Sequence, residues 1–122
     1  MKNQINHIGV FTSGGDSPGM NTALYAIVKA AEKNGIKVSG IRKGFEGLID
    51  GELIQLKSHE LQNITQKGGT ILKTARSKRF MELEGRKKAL QTLKANNIDA
   101  LIAIGGDGTF KGLLAFSEIC DI

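Results

Sequence analysis

A chain of 122 residues with 40% hydrophobic content has the size of one globular domain with one core, which excludes two independently folded units. Its 16 glycines stand against a single proline, above the average glycine usage of about 7% but without low complexity, so glycine here serves backbone geometry. Lys and Arg outnumber Asp and Glu by 17 to 12, which favours an anionic partner; the basic residues are scattered, aromatics are 5%, and no helix-turn-helix or RNA-binding signature organises them, which argues against nucleic acid.

The first residues, MKNQINHIGVF, lack the apolar core of a signal peptide, and no apolar run approaches the roughly 18 residues of a membrane span, so a cytoplasmic protein without membrane attachment is expected. Ile8 to Phe11 reads as a strand, closed by the loop TSGGDSPGMN. Ala23, Leu24, Ala26, Ile27, Ala30 and Ala31 then recur at helical spacing, Gly35 stops that helix, and Val38 to Ile41 reads as a second strand. Lys43 to Gly51 is expected to be a glycine-studded loop, Leu53 to Leu56 a short strand, and Ser58 with Glu60 the opening of a helix to about Gln66. KGGTILKTARSKRF has paired glycines, four basic residues in its last eleven positions and weak periodicity, and reads either as an ordered loop at a site or as a solvated basic loop. Glu82 and Glu84 precede Lys87, Lys88 and Lys94 in a segment with Leu83, Leu90 and Leu93 on one side, the pattern of a helix whose charges match its dipole. Asp99 to Ile104 reads as a buried strand, followed by the loop GGDGTF and a helix through Leu113, Leu114, Phe116 and Ile119. Cys120, the sole cysteine, offers neither a disulfide framework nor a metal set, and its simplest reading is a small buried hydrophobe. His7 and His59 have no Ser, Cys or metal partner at a telling spacing and read as surface or strand-end residues.

Strands alternating with helices predict an α/β fold: a three-layer, Rossmann-like parallel sheet that takes ligands at the carboxyl ends of its strands, where both glycine loops fall. In Ser13-Gly14-Gly15-Asp16-Ser17-Pro18-Gly19-Met20-Asn21, missing β-carbons let backbone approach a bulky anion, and amides opening the next helix can face phosphate oxygens. The loop is neither a Walker motif nor a GxGxxG fingerprint, and a tight structural connection is its plain alternative. In Gly105-Gly106-Asp107-Gly108-Thr109, the carboxylate can hold a hard cation that bridges nucleotide phosphates, or it can cap the following helix. Thr109 can likewise donate to a phosphate or cap.

SGGDSPGMN after the first strand, GGT followed by an arginine across Gly68 to Arg76, and GGDGT after a later strand together resemble the N-terminal half of the phosphofructokinase family. GGDGT alone also resembles NAD kinases and diacylglycerol kinases; SGGDSPGMN is the specific element. The resemblance runs from about Ile8 onward and implies an ATP-dependent 6-phosphofructokinase, with residues 1–122 an N-terminal ATP-binding part of its large domain. Such an enzyme passes the ATP γ-phosphoryl to the 1-hydroxyl of fructose 6-phosphate with Mg²⁺, in glycolysis, as a homotetramer. By motif position, Gly15, Arg76, Ser77, Gly106, Asp107, Gly108 and Thr109 would meet ATP, Asp107 would be the metal carboxylate, and Arg76 would offset charge at the transferring phosphoryl. Gly108 stands where pyrophosphate-dependent relatives resembling this loop carry Asp, which points to ATP as donor. The PGTIDND motif with the family's catalytic base is expected beyond Ile122, so the 122 residues alone are expected to bind MgATP without catalysing transfer. A stand-alone ATP-binding module is the competing reading. Tyr25, Lys29 and Glu52 occupy positions where the bacterial effector site has arginines, which disfavours that mode of regulation.

Overall fold

The computed structural model describes residues 5–13, 18–62, 71–72, 77–105 and 107–120. In chain order it contains β1 (His7–Thr12), α1 (Pro18–Lys33), β2 (Lys37–Ile41), α2 (Gly44–Asp50), β3 (Leu53–Gln55), α3 (Ser58–Leu61), a 3-10 turn (Arg79–Met81), α4 (Leu83–Ala95), β4 (Ala100–Ile104) and α5 (Asp107–Ser117).

Because side chains alternate along a strand, each strand supplies both faces of the sheet. Val10 and Val38 pack with Leu24, Val28 and Ala31 of α1 and Leu61 of α3 on one face. Phe11 and Ile41 pack with Leu48 and Ile49 of α2, Ala89 and Leu93 of α4, and Phe116 of α5 on the other. These two cores make the expected three layers. The strand order is β3-β2-β1-β4. β1 is parallel to β2, with Ile8 opposite Val38, and parallel to β4, with Ile8 opposite Ala100.

β3 departs from the parallel expectation, pairing antiparallel with β2 through Ser39–Gln55 and Ile41–Leu53. The cause lies in the connection, which doubles back through α2 and is closed by Arg42 N donating to the Glu52 carbonyl at 2.9 Å. A parallel return would need a longer crossover.

The expected loop over Lys43 to Gly51 is instead largely the helix α2. Its glycines are part of the helix architecture. Lys43 and Gly44 enter it at φ 65° and 57°, and Gly51 ends it at φ 78°, donating its N–H to the Gly47 carbonyl. Gly47 lies so near the Arg42 carbonyl oxygen that a β-carbon there would overlap it.

Four further expectations shift. β4 is half-buried along its whole length rather than buried, since it stands at one edge of the sheet among the described strands. Leu83 is 45% exposed, and α4 buries Gly85, Ala89 and Leu93 instead. The loop read as GGDGTF is cut short, because α5 begins at Asp107. His7 is buried, its Nε2 2.7 Å from Ser39 Oγ and its Nδ1 3.1 Å from the Asn96 carbonyl. Because a carbonyl oxygen can only accept, Nδ1 donates in that contact, and in the neutral ring Nε2 accepts from the serine hydroxyl. Cys120 is half-buried and packs against the second core, as a small hydrophobe would. Beyond α3, the helix expected to reach Gln66 passes outside the described residues.

Candidate functional site

The carboxyl ends of β1 and β4 are neighbours, with Thr12 opposite Ile104 in parallel register. Ser13 N extends the ladder by donating to the Ile104 carbonyl at 2.8 Å. The strand ends that precede the two glycine loops therefore lie side by side, β1 followed by α1 and β4 by α5. Helix N-termini that follow neighbouring strand ends are suited to an anion, because their backbone N–H groups lack partners within the helix.

Glycine is required at the second exit. A β-carbon on Gly105 would overlap Thr109 Oγ1 and come within 2.9 Å of the Ser13 carbonyl oxygen. The first turn of α5 therefore folds back onto the strand ends, and Thr109 is buried at 6% exposure. Asp107 and Gly108 are the first two residues of α5. Gly15, Arg76 and Gly106 lie outside the described residues, as do Gly68 to Thr70 of the middle motif.

The segments flanking Arg76 are anchored. On the upstream side, Ile71 N donates to Asn21 Oδ1 at 3.0 Å, and the carbonyl of the fully buried Leu72 accepts from Lys43 N at 2.8 Å. On the downstream side, Ser77 Oγ accepts from Phe80 N at 3.2 Å, which ties Ser77 to the 3-10 turn. The Ser77 hydroxyl, then the Arg79 guanidinium, hold the Glu46 carboxyl of α2 below the usual carboxylate range. Glu46 Oε1 itself is buried with no partner within hydrogen-bond distance among the described residues. The Ser77 hydroxyl oxygen is thus turned toward the 3-10 turn and α2.

Arg79 is a structural cation. Its Nη2 lies 2.6 Å from Glu46 Oε2 and 2.9 Å from Asp50 Oδ2, and its Nε donates to Glu46 Oε2 at 3.1 Å. These contacts raise the Arg79 pKa further above its ordinary value and depress that of Asp50, chiefly through the hydrogen bond between them. Of the four basic residues in KTARSKRF, Arg79 is therefore committed to packing the turn onto α2.

A file of phenylalanines ties the site's elements together. Phe11 of β1 meets Phe45 of α2 at 4.9 Å between ring centroids, Phe45 stacks on Phe80 at 3.9 Å, and Phe80 meets Phe116 of α5 at 5.4 Å. Gly112 admits this arrangement, since a β-carbon there would come within 2.7 Å of the Phe45 ring. Sequence reasoning missed Asn21, Glu46 and Phe80 as members of this framework. The Asn of SGGDSPGMN was in view, but nothing in spacing shows that its partner lies fifty residues on.

The three positions aligned with an effector site have other company. Lys29 Nζ stands 6.0 Å from the Tyr25 ring centroid, at the limit of a cation–π contact. Glu52 pairs loosely with Lys43 at 3.8 Å.

Fold and site define an α/β protein of the open, mostly parallel-sheet class, with its candidate site outside the carboxyl ends of two adjacent strands. The chain belongs to the phosphofructokinase family, whose sequence model matches residues 7–122. It is 54% identical over 114 residues to ATP-dependent 6-phosphofructokinase 1 of Thermus thermophilus, covering 93% of this chain and 35% of that protein. ATP-dependent 6-phosphofructokinase 2 of Bacteroides thetaiotaomicron is 50% identical over 118 residues, 97% of this chain and 36% of that one. The crystal structure of Pichia pastoris phosphofructokinase in the T-state superposes with a TM-score of 0.89 at 38% identity, over 97% of this chain and 13% of that one. The chain thus spans about a third of the length of the bacterial relatives it matches. Among the described residues, no helix is long and apolar enough to cross a membrane.

Proposed function

We propose that residues 1–122 form the N-terminal MgATP-binding part of an ATP-dependent 6-phosphofructokinase. The complete protein would transfer the ATP γ-phosphoryl to the 1-hydroxyl of fructose 6-phosphate, in the cytoplasm and as a homotetramer. The observation that carries this reading is the pair of strand ends side by side, Thr12 opposite Ile104, each followed by a glycine loop and a helix.

In this reading the backbone at Gly15 and the α5 turn at Gly106, Gly108 and Thr109 receive the phosphates, and Gly105 lets Thr109 approach the end of β1 at Ser13. Mg²⁺ in nucleotide sites is held by one or two carboxylates plus substrate phosphates, and a single Asp107 at the head of α5 suits that donor set. Bound there, the ion neutralises charge between phosphates. Arg76 and Ser77 approach the same phosphates, and the fixed guanidinium offsets charge as the phosphoryl group moves. Glycine at 108 leaves room for the α-phosphate and favours ATP over pyrophosphate. The base that takes the sugar proton is assigned to the part of the enzyme outside these residues.

Isothermal titration with MgATP tests the site. Binding should be weakened at least tenfold by Asp107→Ala, which corresponds to about 1.4 kcal/mol. Equal affinity in the variant, or no binding by the unmodified chain at millimolar nucleotide, refutes it.

A further inference from the structure

Asn21 is 2% exposed and lies at the start of α1, the helix that follows the first glycine loop. A buried amide at that place is not needed for helix formation, and it engages another segment. Its Oδ1 accepts the Ile71 N–H at 3.0 Å, a bond across fifty residues of chain. The next residue, Leu72, is fully buried, and its Cδ2 fills the space above Gly40 of β2, where a β-carbon would come within 2.7 Å. The Leu72 carbonyl also accepts from Lys43 N at 2.8 Å. The Ile71–Leu72 pair is therefore referred to the sheet and α2 through Leu72, and to α1 through Asn21. Four residues separate Leu72 from Ser77, itself bonded to the 3-10 turn.

We propose that Asn21 is a positioning residue for phosphoryl transfer, holding the segment that leads to Arg76 in register with the helix that opens beside the first glycine loop. The inference rests on the MgATP reading above, in which Arg76 and the loop around Gly15 address one nucleotide. A neutral amide suits this role. Its oxygen offers an acceptor without placing an unpaired charge in the interior, and a short side chain near the start of a packed helix has little freedom to drift. Truncating it leaves the Ile71 N–H without this acceptor and lets the segment move relative to α1. In an oriented site, a displacement of about 1 Å lowers rate by up to about a hundredfold.

The test is a double-mutant cycle on kcat in the complete reading frame, at saturating MgATP and fructose 6-phosphate and well below the melting temperature of each variant. Asn21→Ala should lower kcat about tenfold, yet by less than about twofold in an Arg76→Ala background, because displacing a group that is already gone has no further effect. A purely structural Asn21 would give equal fold losses in both backgrounds, and that result, or an unchanged kcat in Asn21→Ala, overturns the inference. If Arg76→Ala alone leaves kcat unchanged, the reading of Arg76 fails first and takes the inference with it. Should Asn21→Ala not fold, Asn21→Leu fills the site without an acceptor and is read in the same cycle.

Discussion

Phe80 is the residue on which the turn following Arg76 depends, and replacing it by alanine is the sharpest test of the packing described above. Phe80 is 2% exposed, stacks on Phe45 with centroids 3.9 Å apart and 13° between planes, and meets Phe116 at 5.4 Å and 58°. Truncating a buried phenylalanine costs about 3–5 kcal/mol through lost transfer free energy and a residual cavity. Two ring contacts, each worth about 0.5–1.5 kcal/mol beyond area, place this site near the top of that range, at about 5 kcal/mol. Domains of this size are stable by on the order of 10 kcal/mol, so half the margin is at stake. With a urea slope of about 2 kcal/mol/M, the unfolding midpoint should fall by roughly 2.5 M. Phe110 is the internal control, because the same residue type is 63% exposed on α5. Phe110→Ala should change stability by no more than about 0.5 kcal/mol. A midpoint shift for Phe80→Ala below about 0.5 M, or one equal to that of Phe110→Ala, would refute the claim that the aromatic file anchors the turn.

Arg79→Met should remove stability only where Glu46 and Asp50 are ionised. Both carboxyls have folded pKa values depressed by Arg79, with Ser77 contributing most at Glu46, so their stabilisation is present above the ordinary carboxylate range and is lost as pH falls through the depressed values. The melting-temperature difference between the two proteins should therefore be steady from neutral pH to about pH 5 and shrink below about pH 4. A difference independent of pH would show that Arg79 acts through its aliphatic stem. Gly47→Ala runs against helix propensity: alanine normally stabilises a helix interior by about 1 kcal/mol over glycine, but here its β-carbon would overlap the Arg42 carbonyl oxygen. The variant should lose about 2 kcal/mol or more in thermal unfolding, and any gain in melting temperature contradicts the close approach.

Elements with a clean period were legible in the sequence. Ile8 to Phe11, the helix α1 and Val38 to Ile41 lie where their spacing places them, although α1 buries Leu24, Val28 and Ala31 and leaves Ala26 and Ala30 of the expected face exposed. α2 was hidden because Gly44, Gly47 and Gly51 weaken every local helix signal, while they serve a close backbone approach to Arg42 in the entering turn and two positive-φ ends. β4 has the composition of a central strand while occupying an edge among the described strands, and composition does not encode position in the sheet. His7 reads as an ordinary strand-end residue until Ser39, thirty-two positions away, is brought to 2.7 Å. In the candidate site the glycine exits were legible, since glycine before a helix has a local cause. The structural role of Arg79 was not separable from the other basic residues of KTARSKRF, because its partners, Glu46 and Asp50, are chosen by the packing of α2.

The pairing of β1 with β4 has a consequence for how the molecule assembles. β1, α1 and β2 are consecutive, and their parallel contact closes a short stretch of chain. Ile8 and Ala100, by contrast, must find one another across most of the polypeptide, and the backbone of His7 is tied to Asp99 Oδ2 at a separation of ninety-two residues. Closing so large a loop is paid in chain entropy before any contact repays it, so such pairings form late and slow the folding of the whole. The strand ends that lead into the two glycine loops are joined by this long-range pairing. During synthesis, β1 stands without its β4 neighbour until residues near Ile104 have emerged, so the pairing of Thr12 with Ile104 cannot form before then.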